Sequence, residues 1–419
     1  MPLLGHFPAA ILGGSPRPLG PKATVSEEQE AIAAGSAVIA PQAVRNRFDR
    51  MELAGAFGDL GTLIPFVLAY ITVMGLDPLG VLLGFGACMV ASGLWYRTPF
   101  PVQPMKALGV VATTQAAQTA TITPQAVYGA GLVTGVLWLV LGLTGATRWV
   151  TNFISRPIIV GIVLGLGLGF MLEGIKFMAV GWLLSGTVLL VALLLLSSRR
   201  VPAMFVILLS GAALAVIRDP TLTQAVASIQ FEPRLPSFAL TGITWSDFVI
   251  GLVFLAIPQV PLTLGNAMIA IVEENNRLFP RSPVSERIVS ISTGLMNLFG
   301  AGVGGVPMCH GAGGMAGYVR FGARTGGAVI ILGVLLILLG LFFSGSVQTI
   351  FGMIPREILG VILFLTGAQL ALGSFDFSKE KDERFVTIVT AGLSIWNIGL
   401  AFVIGLSIFY LLKRGWMRL

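Results

Sequence analysis

The sequence predicts an all-α, polytopic membrane protein made of two inverted repeats of about seven transmembrane segments each. Of its 419 residues 55% are hydrophobic and 11% are charged, whereas soluble domains carry roughly 25% charge. Apolar stretches of about 20 residues recur from Met51 onward, which is the length of a membrane-spanning helix. They lack the two-residue alternation of a barrel strand, so the backbone must satisfy its hydrogen bonds as helices.

Hydropathy, Pro and Gly breaks and charged residues divide the chain into fourteen segments. The first seven are predicted at 51–74, 77–96, a half-helix at 104–116, 124–144, 153–174, 176–197 and 201–217. The second seven are predicted at 246–272, 284–302, a half-helix at 309–319, 325–345, 347–373 with a bend near Pro355, 385–397 and 399–413. Because seven is odd, the second repeat would run in the opposite direction, about a pseudo-two-fold axis in the membrane plane.

This division gives four regions. Residues 1–45 form a flexible tail rich in Pro, Gly, Ala and Ser, 46–217 the first repeat, 218–245 a polar linker and 246–419 the second repeat. The tail has an apolar stretch that is shorter than a secretory signal and lacks a basic start, so no cleaved signal is expected.

Basic residues predict the orientation. With fourteen segments, one side of the membrane receives Arg45, Arg47, Arg50, Arg277, Arg281, Arg287, Arg320, Arg324, Lys413, Arg414 and Arg418. The positive-inside rule makes that side cytoplasmic, together with both termini. Arg97, Arg199 and Arg200 fit this scheme less simply. The net charge of +7 is therefore interpreted as membrane orientation, and no nucleic-acid partner is expected.

Cysteine and histidine are scarce. The chain has two cysteines, Cys88 and Cys309, and two histidines, His6 and His310, too few for a disulfide framework or a site of Cys and His ligands. We expect no metal centre, no cofactor and no redox chemistry.

Two broken stretches lie half a chain apart. They are Pro99-Phe-Pro-Val-Gln-Pro-Met-Lys106 and Gly304-Gly-Val-Pro-Met-Cys-His-Gly-Ala-Gly-Gly314. Each interrupts a hydrophobic region with extended, proline-bearing backbone and then resumes a helix, which leaves helix N–H groups unpaired. A free helix N-terminus at membrane depth binds anions, so the pair predicts a transporter.

Candidate substrate contacts follow from these two stretches. In the first they are Gln103, Pro104, Met105 and Lys106, and in the second Met308, Cys309, His310, Gly311 and Gly313. Gln103 would donate its amide and Lys106 a positive charge, the alternatives being a helix cap and a lysine that reaches the interface. Cys309 and Met308 have a packing role as their alternative, and His310 a structural hydrogen bond.

Three further polar residues lie in the first and eighth segments. Asp59 is an intramembrane carboxylate, a candidate coupling site that takes up a proton or releases Lys106 to the substrate. The alternatives are a fixed intramembrane ion pair and a carboxylate at the helix mouth. His310 is the other coupling candidate. Thr62 lies one turn after Asp59, and Gln259 begins a polar stripe whose alternative is helix–helix hydrogen bonding.

The two motifs, with Phe57-Gly-Asp-Leu-Gly-Thr62 and Gly265-Asn-Ala267, resemble those of the molybdate transporter family, relatives of the sulfate permeases. The resemblance implies the seven-plus-seven fold of the uracil permease and sulfate permease type, with a core domain, a gate domain and substrate between the third and tenth segments. Sulfate permeases usually carry a C-terminal cytosolic regulatory domain; none is expected here, because the chain stops at Leu419. A homodimer is common in the related folds.

The resulting prediction is a high-affinity molybdate importer, not an enzyme, that works by alternating access and is a candidate for proton symport. It would be a multi-pass protein of the plasma membrane or an internal membrane. The alternatives are a sulfate transporter of the same fold and an anion channel. An intramembrane enzyme is disfavoured, because the sequence has no Ser/Lys dyad, paired aspartates or His-rich motif.

Overall fold

The computed structural model describes residues 45–418, apart from 73, 106–121, 148–154, 197, 199–200, 219 and 373–379. Within this part the chain is almost entirely helical, with a single pair of two-residue strands. The predicted tail at 1–45, except Arg45, and nearly all of the predicted half-helix at 104–116, including Lys106, lie outside the described residues.

The helices follow the predicted segments closely. The first half contains α1 (Arg50–Ala56), a 3-10 turn (Phe57–Asp59), α2 (Leu60–Thr72), α3 (Pro78–Tyr96), β1 (Gln103–Pro104), α4 (Pro124–Thr144), α5 (Arg156–Met178), α6 (Trp182–Leu195), α7 (Ala203–Arg218) and α8 (Thr221–Ala227). A 3-10 turn (Ala239–Gly242) leads to the second half, which contains α9 (Trp245–Ile250), a π-helix (Gly251–Ala256), α10 (Ile257–Leu262), a π-helix (Thr263–Ala270), α11 (Ile271–Leu278), α12 (Glu286–Gly302), β2 (Met308–Cys309), α13 (Ala312–Arg320), α14 (Gly327–Phe343), a 3-10 turn (Ser344–Ser346), α15 (Val347–Gly352), α16 (Arg356–Leu372), α17 (Lys381–Trp396) and α18 (Ile398–Lys413).

Length and apolar composition qualify five of the described helices as membrane spans. They are Arg50–Thr72, Pro78–Tyr96, Pro124–Thr144, Arg156–Met178 and Gly327–Gly352. Four shorter apolar helices accompany them at Trp182–Leu195, Ala203–Ile217, Trp245–Ala256 and Leu400–Lys413. The count of fourteen crossings stays a prediction.

Local sequence explains where several helices begin and end. The Asp77 carboxylate accepts the N–H of Leu79 ahead of α3, with Pro78 at the first helical position. Thr123 caps α4 in the same way, again followed by a proline. Proline suits this position because its missing N–H would have no partner there. At the end of α4, Gly145 adopts a left-handed conformation with φ of 76°, which suits glycine.

Close helix pairs join the two halves of the chain. α3 packs along α14, α4 along α12, and α5 along α16 and α17. A side chain added at Gly86 of α3 would lie 2.6 Å from the carbonyl oxygen of Gly333 in α14, and the reverse substitution would meet Gly86 at 2.7 Å. Backbones this close need small residues at the crossing, the packing typical of membrane helices.

The breaks in the helices differ in detail from the prediction. The eighth segment stays helical around its two prolines and widens into two π-helices on either side of α10. A π turn keeps the chain helical although Pro258 and Pro261 supply no N–H. The second half-helix begins at Ala312 and not at 309, because Met308 and Cys309 form a strand. Pro355 separates α15 from α16, close to the predicted bend.

Candidate functional site

A two-residue strand from each half of the chain forms the centre of the candidate site. β1 and β2 are antiparallel, with Gln103 opposite Cys309 and Pro104 opposite Met308. The N–H of Met105 adds a bond of 3.0 Å to the carbonyl of Pro307. The Asn297 side chain fixes β2 through two hydrogen bonds to Met308. It donates to the Met308 carbonyl at 2.7 Å and accepts the Met308 N–H at 2.8 Å. The two broken motifs therefore meet.

The side chain of Gln103 lies against the broken part of the first span. Its Nε2 donates to Oδ1 of Asp59 at 2.5 Å and to the hydroxyl of Thr62 at 2.9 Å. Thr62 also donates to the Asp59 carboxylate. All three residues are buried. The 3-10 turn at Phe57–Asp59 places the carboxylate at the start of α2, one turn before Thr62, so the predicted neighbours do converge.

The N-terminus of α13 faces the same amide. Gly311 is the N-cap of this helix and no side chain caps it. A methyl group on Gly311 would overlap Oε1 of Gln103, and one on Gly314 would lie 2.8 Å from Nε2 of Gln103 and 2.9 Å from Oδ2 of Asp59. The backbone at the start of α13 is thus bare toward Gln103, and the first N–H groups of an uncapped helix form an anion-binding end.

Two buried carboxamides meet at Gly311. Oε1 of Gln103 and Oδ1 of Asn266 are buried and have no hydrogen-bond partner among the described residues. Nδ2 of Asn266 lies 3.5 Å from the position of a methyl group on Gly311. A carboxamide that turns over presents two N–H donors in place of its oxygen. This pair can therefore offer donors to an anion at the start of α13.

His310 lies in different surroundings. Its Nδ1 is 2.7 Å from the carbonyl oxygen of Pro101, so Nδ1 carries the proton, and Nε2 is 2.8 Å from the Ser292 hydroxyl. That hydroxyl is 2.6 Å from the hydroxyl of Tyr96, and the ring of Phe100 packs edge-on at 4.9 Å. Both ring nitrogens are thus occupied, and none of these four neighbours belongs to the Asp59 group. The structure does not bring His310 together with Asp59.

The other predicted contacts are packed or lie elsewhere. Met105, Met308 and Cys309 are buried in the apolar core. A methyl group on Gly313 would overlap the ring of Phe170, so Gly313 packs against α5. Gln259 donates to the hydroxyl of Thr263 at 2.9 Å, one turn along the eighth segment.

Three residues at the site were not among the predicted substrate contacts. Asn266 and Gly314 stand in recognisable stretches of sequence, and both lie beside Gln103 or Gly311. Thr366 of α16 donates to the carbonyl of Gly58 at 3.4 Å, and no pattern in the sequence predicts this contact.

The fold is that of a class of helical, multi-pass membrane transporters. Murine Slc26a9, an anion transporter solved in its inward-facing state, superposes with a TM-score of 0.58 at 12% identity, over 97% of this chain and 78% of that one. The transmembrane domain of the cyanobacterium bicarbonate transporter BicA gives a TM-score of 0.52 at 17% identity, over 88% of this chain and all of that one. The predicted relation to the sulfate permease fold is confirmed at this level.

Within this class the chain belongs to the molybdate transporter family. A family model described as "Molybdate transporter of MFS superfamily" matches residues 51–170 and 251–370. The chain is 35% identical to molybdate transporter 2 of Arabidopsis thaliana over 86% of this chain and 87% of that protein, and 34% identical to molybdate transporter 1 of the same plant, over 88% of each. The predicted family is confirmed, and it is a family of transporters.

Proposed function

We propose that this protein transports molybdate across a membrane by alternating access, and that it binds the oxyanion between the two broken motifs. Membership of the molybdate transporter family supports the substrate class. The observation that carries the site is the uncapped N-terminus of α13 next to the Gln103 amide, at the place where motifs from both halves pair.

The proposed architecture is the seven-plus-seven inverted repeat, with repeats at 46–217 and 246–419. The family model matches two regions of equal length, 51–170 and 251–370, which supports a duplication. Helix packing supports the division into core and gate. α3 and α4 pair with α14 and α12, as expected within a core, and α5 pairs with α16 and α17, as expected within a gate. The basic residues support cytoplasmic termini.

The charges at the site favour an anion only under one condition. The α13 terminus contributes roughly half a positive charge, and Lys106 follows Met105 in sequence. Oδ2 of Asp59 lies 2.9 Å from the position of a methyl group on Gly314, so an ionised Asp59 would repel a dianion held at the start of α13. Binding therefore requires that Asp59 be protonated or paired with a cation.

Proton coupling follows from the same contact. Nε2 of Gln103 donates to Asp59 in the structure, which stabilises the ionised carboxylate. If the amide turns its N–H groups to an anion at Gly311, Asp59 loses that donor and its neutral form is favoured. Anion and proton would then bind together, as in a symporter. In this scheme Asp59 is the coupling residue, and His310 supports Pro101 and α12.

Uptake by purified protein in liposomes tests the proposal. Saturable molybdate uptake that excess uracil leaves unchanged, and that excess sulfate reduces only weakly, is expected. Lys106→Ala should abolish uptake, while Lys176→Ala, at an exposed lysine paired with Glu173, should leave it at the level of the unmodified protein. Uptake that survives in Lys106→Ala would contradict the site. Sulfate uptake with equal efficiency would assign the alternative substrate.

Collapse of the pH gradient tests the coupling separately. Molybdate accumulation above equilibrium should be lost when a protonophore abolishes the gradient, and Asp59→Asn should show gradient-independent exchange. Accumulation that persists without a gradient would show that the proton does not drive transport, while the binding site itself would stand.

A further inference from the structure

A second polar cavity lies at the far end of α13. It measures about 520 Å³ and is lined by three arginines, Arg47, Arg320 and Arg324, and by Asp49 and Ser198 among others. The nine residues of α13 at roughly 1.5 Å each place it about 13 Å from the candidate oxyanion site. Water occupies roughly 30 Å³ per molecule, so the cavity has room for a hydrated anion.

Arg320, at the end of α13, lines this cavity and has an unsatisfied donor. Nε of Arg320 is buried and has no hydrogen-bond partner among the described residues. One terminal nitrogen lies 3.4 Å from Oε1 of Gln369, at the outer limit of a hydrogen bond. Arg324 donates to the carbonyls of Val319 and Ala323 at 2.8 and 2.7 Å. A buried donor without an acceptor is costly, so an anion that reached the Arg320 guanidinium would stabilise this side chain.

The described carboxylates near the cavity are fewer than its arginines. Arg47 forms ion pairs with Asp49 at 3.5 Å and with Glu52 at 3.7 Å. The oxygens of Glu52 already accept the N–H groups of Arg324, Thr325 and Ala328. Among the described residues that line the cavity, three carry a guanidinium group and one, Asp49, carries a carboxylate, so this described lining is positively charged.

We propose that this cavity is a second binding site, specific for a tetrahedral oxyanion or a phosphate group. Guanidinium groups bind such oxygens through paired N–H donors. The cavity is bounded by the approach to α1, by the end of α13 and by Ser198 between α6 and α7. An anion there links these elements and slows any step of transport in which they move relative to one another. The proposal rests on the proposed function only for this effect on transport.

Two sources share this chemistry: a free oxyanion from the cytoplasm and the phosphate of an anionic lipid. Purified protein in nanodiscs of phosphatidylcholine is titrated with molybdate and with phosphate by calorimetry. The same titration in nanodiscs that contain phosphatidylglycerol forms the second arm. The variants are Arg320→Gln and Arg47→Gln. Because the Arg47 side chain is half-exposed, its replacement should not prevent folding. The control is Arg281→Gln, at an exposed residue on the same predicted side.

In phosphatidylcholine the unmodified protein and Arg281→Gln should show two binding events, the first at the candidate oxyanion site and the second in the arginine-lined cavity. Arg320→Gln and Arg47→Gln should each weaken the second event at least tenfold and leave the first unchanged. Loss of the second event in phosphatidylglycerol discs would identify the lipid phosphate as the occupant, and its persistence the free anion. Unaltered binding in both arginine variants would overturn the proposal. So would a single binding event in the unmodified protein, in both lipids, if Gln103→Leu abolishes that event. A second event without the first would reject the proposed transport site instead.

Discussion

A methyl group at position 314 tests the geometry of the oxyanion site directly. In Gly314→Ala the added carbon would lie 2.8 Å from Nε2 of Gln103, 2.8 Å from Cβ of Pro101 and 2.9 Å from Oδ2 of Asp59. Ordinary contact begins at about 3.4 Å, so these neighbours must retreat by roughly 0.5 Å. Overpacking destabilises a protein by about 1–3 kcal/mol, whereas replacement of glycine by alanine inside a helix stabilises it by up to about 1 kcal/mol. The variant should therefore fold.

Transport should suffer more than folding. A misplacement of about 1 Å can cost a hundredfold in rate at a site that depends on orientation, so a shift of half that size should lower initial molybdate uptake roughly tenfold. The assay is uptake into liposomes, with thermal unfolding of the same preparations measured in parallel. Gly392→Ala in α17 is the matched control, because its added carbon meets no atom within 4 Å.

The outcome that contradicts this reasoning is specific. If Gly314→Ala is folded and takes up molybdate at the rate of Gly392→Ala, then the Gln103 and Asp59 side chains do not need their observed positions. In that case the substrate binds elsewhere, and the pairing of the two motifs is a structural feature alone.

Three further outcomes follow from single contacts. Gln103→Leu removes the amide that can turn its N–H groups to an anion at Gly311. Because a hydrogen bond to a charged group is worth about 1.5–3 kcal/mol, the affinity for molybdate and its uptake should fall at least tenfold, and an unchanged affinity would refute this role. Glu52→Gln places an amide donor against one of the three backbone N–H groups that Glu52 accepts. It should destabilise the protein by roughly 2 kcal/mol, measured as a lower melting temperature, and the control Glu173→Gln should show no such change. Arg234→Ala removes a half-exposed ion pair and should cost less than about 1 kcal/mol; a larger loss in denaturant unfolding would contradict this estimate.

Local patterns predict the helices and the two motifs, because hydropathy and proline act within a few residues. The extended stretches at Gln103 and Cys309 follow from their sequence, and so does the position of Thr62 one turn after Asp59. The partner of Asp59 depends on how distant segments cross. Gln103 and Thr62 donate to Asp59 in the structure, while Lys106, one candidate partner from the sequence, lies outside the described residues.

The orientation of His310 shows why adjacency in sequence is a weak guide in extended backbone. Successive side chains in extended backbone point to opposite faces of the sheet, so Cys309 and His310 do not share the same surroundings. Once the start of α13 is known, helical geometry explains the next residues. Gly311 and Gly314 are three apart and share a face toward Gln103, whereas Gly313 faces Phe170.

The pairing of β1 with β2 also has a consequence for synthesis in the membrane. Gln103 leaves the ribosome 206 residues before its partner Cys309, a delay of about 10–40 s at roughly 5–20 residues per second. During this interval the inserted first half holds a strand without its partner, although Gln103 and Thr62, which donate to Asp59, already belong to that half. The backbone groups of the strand must find other hydrogen-bond partners until the second half arrives.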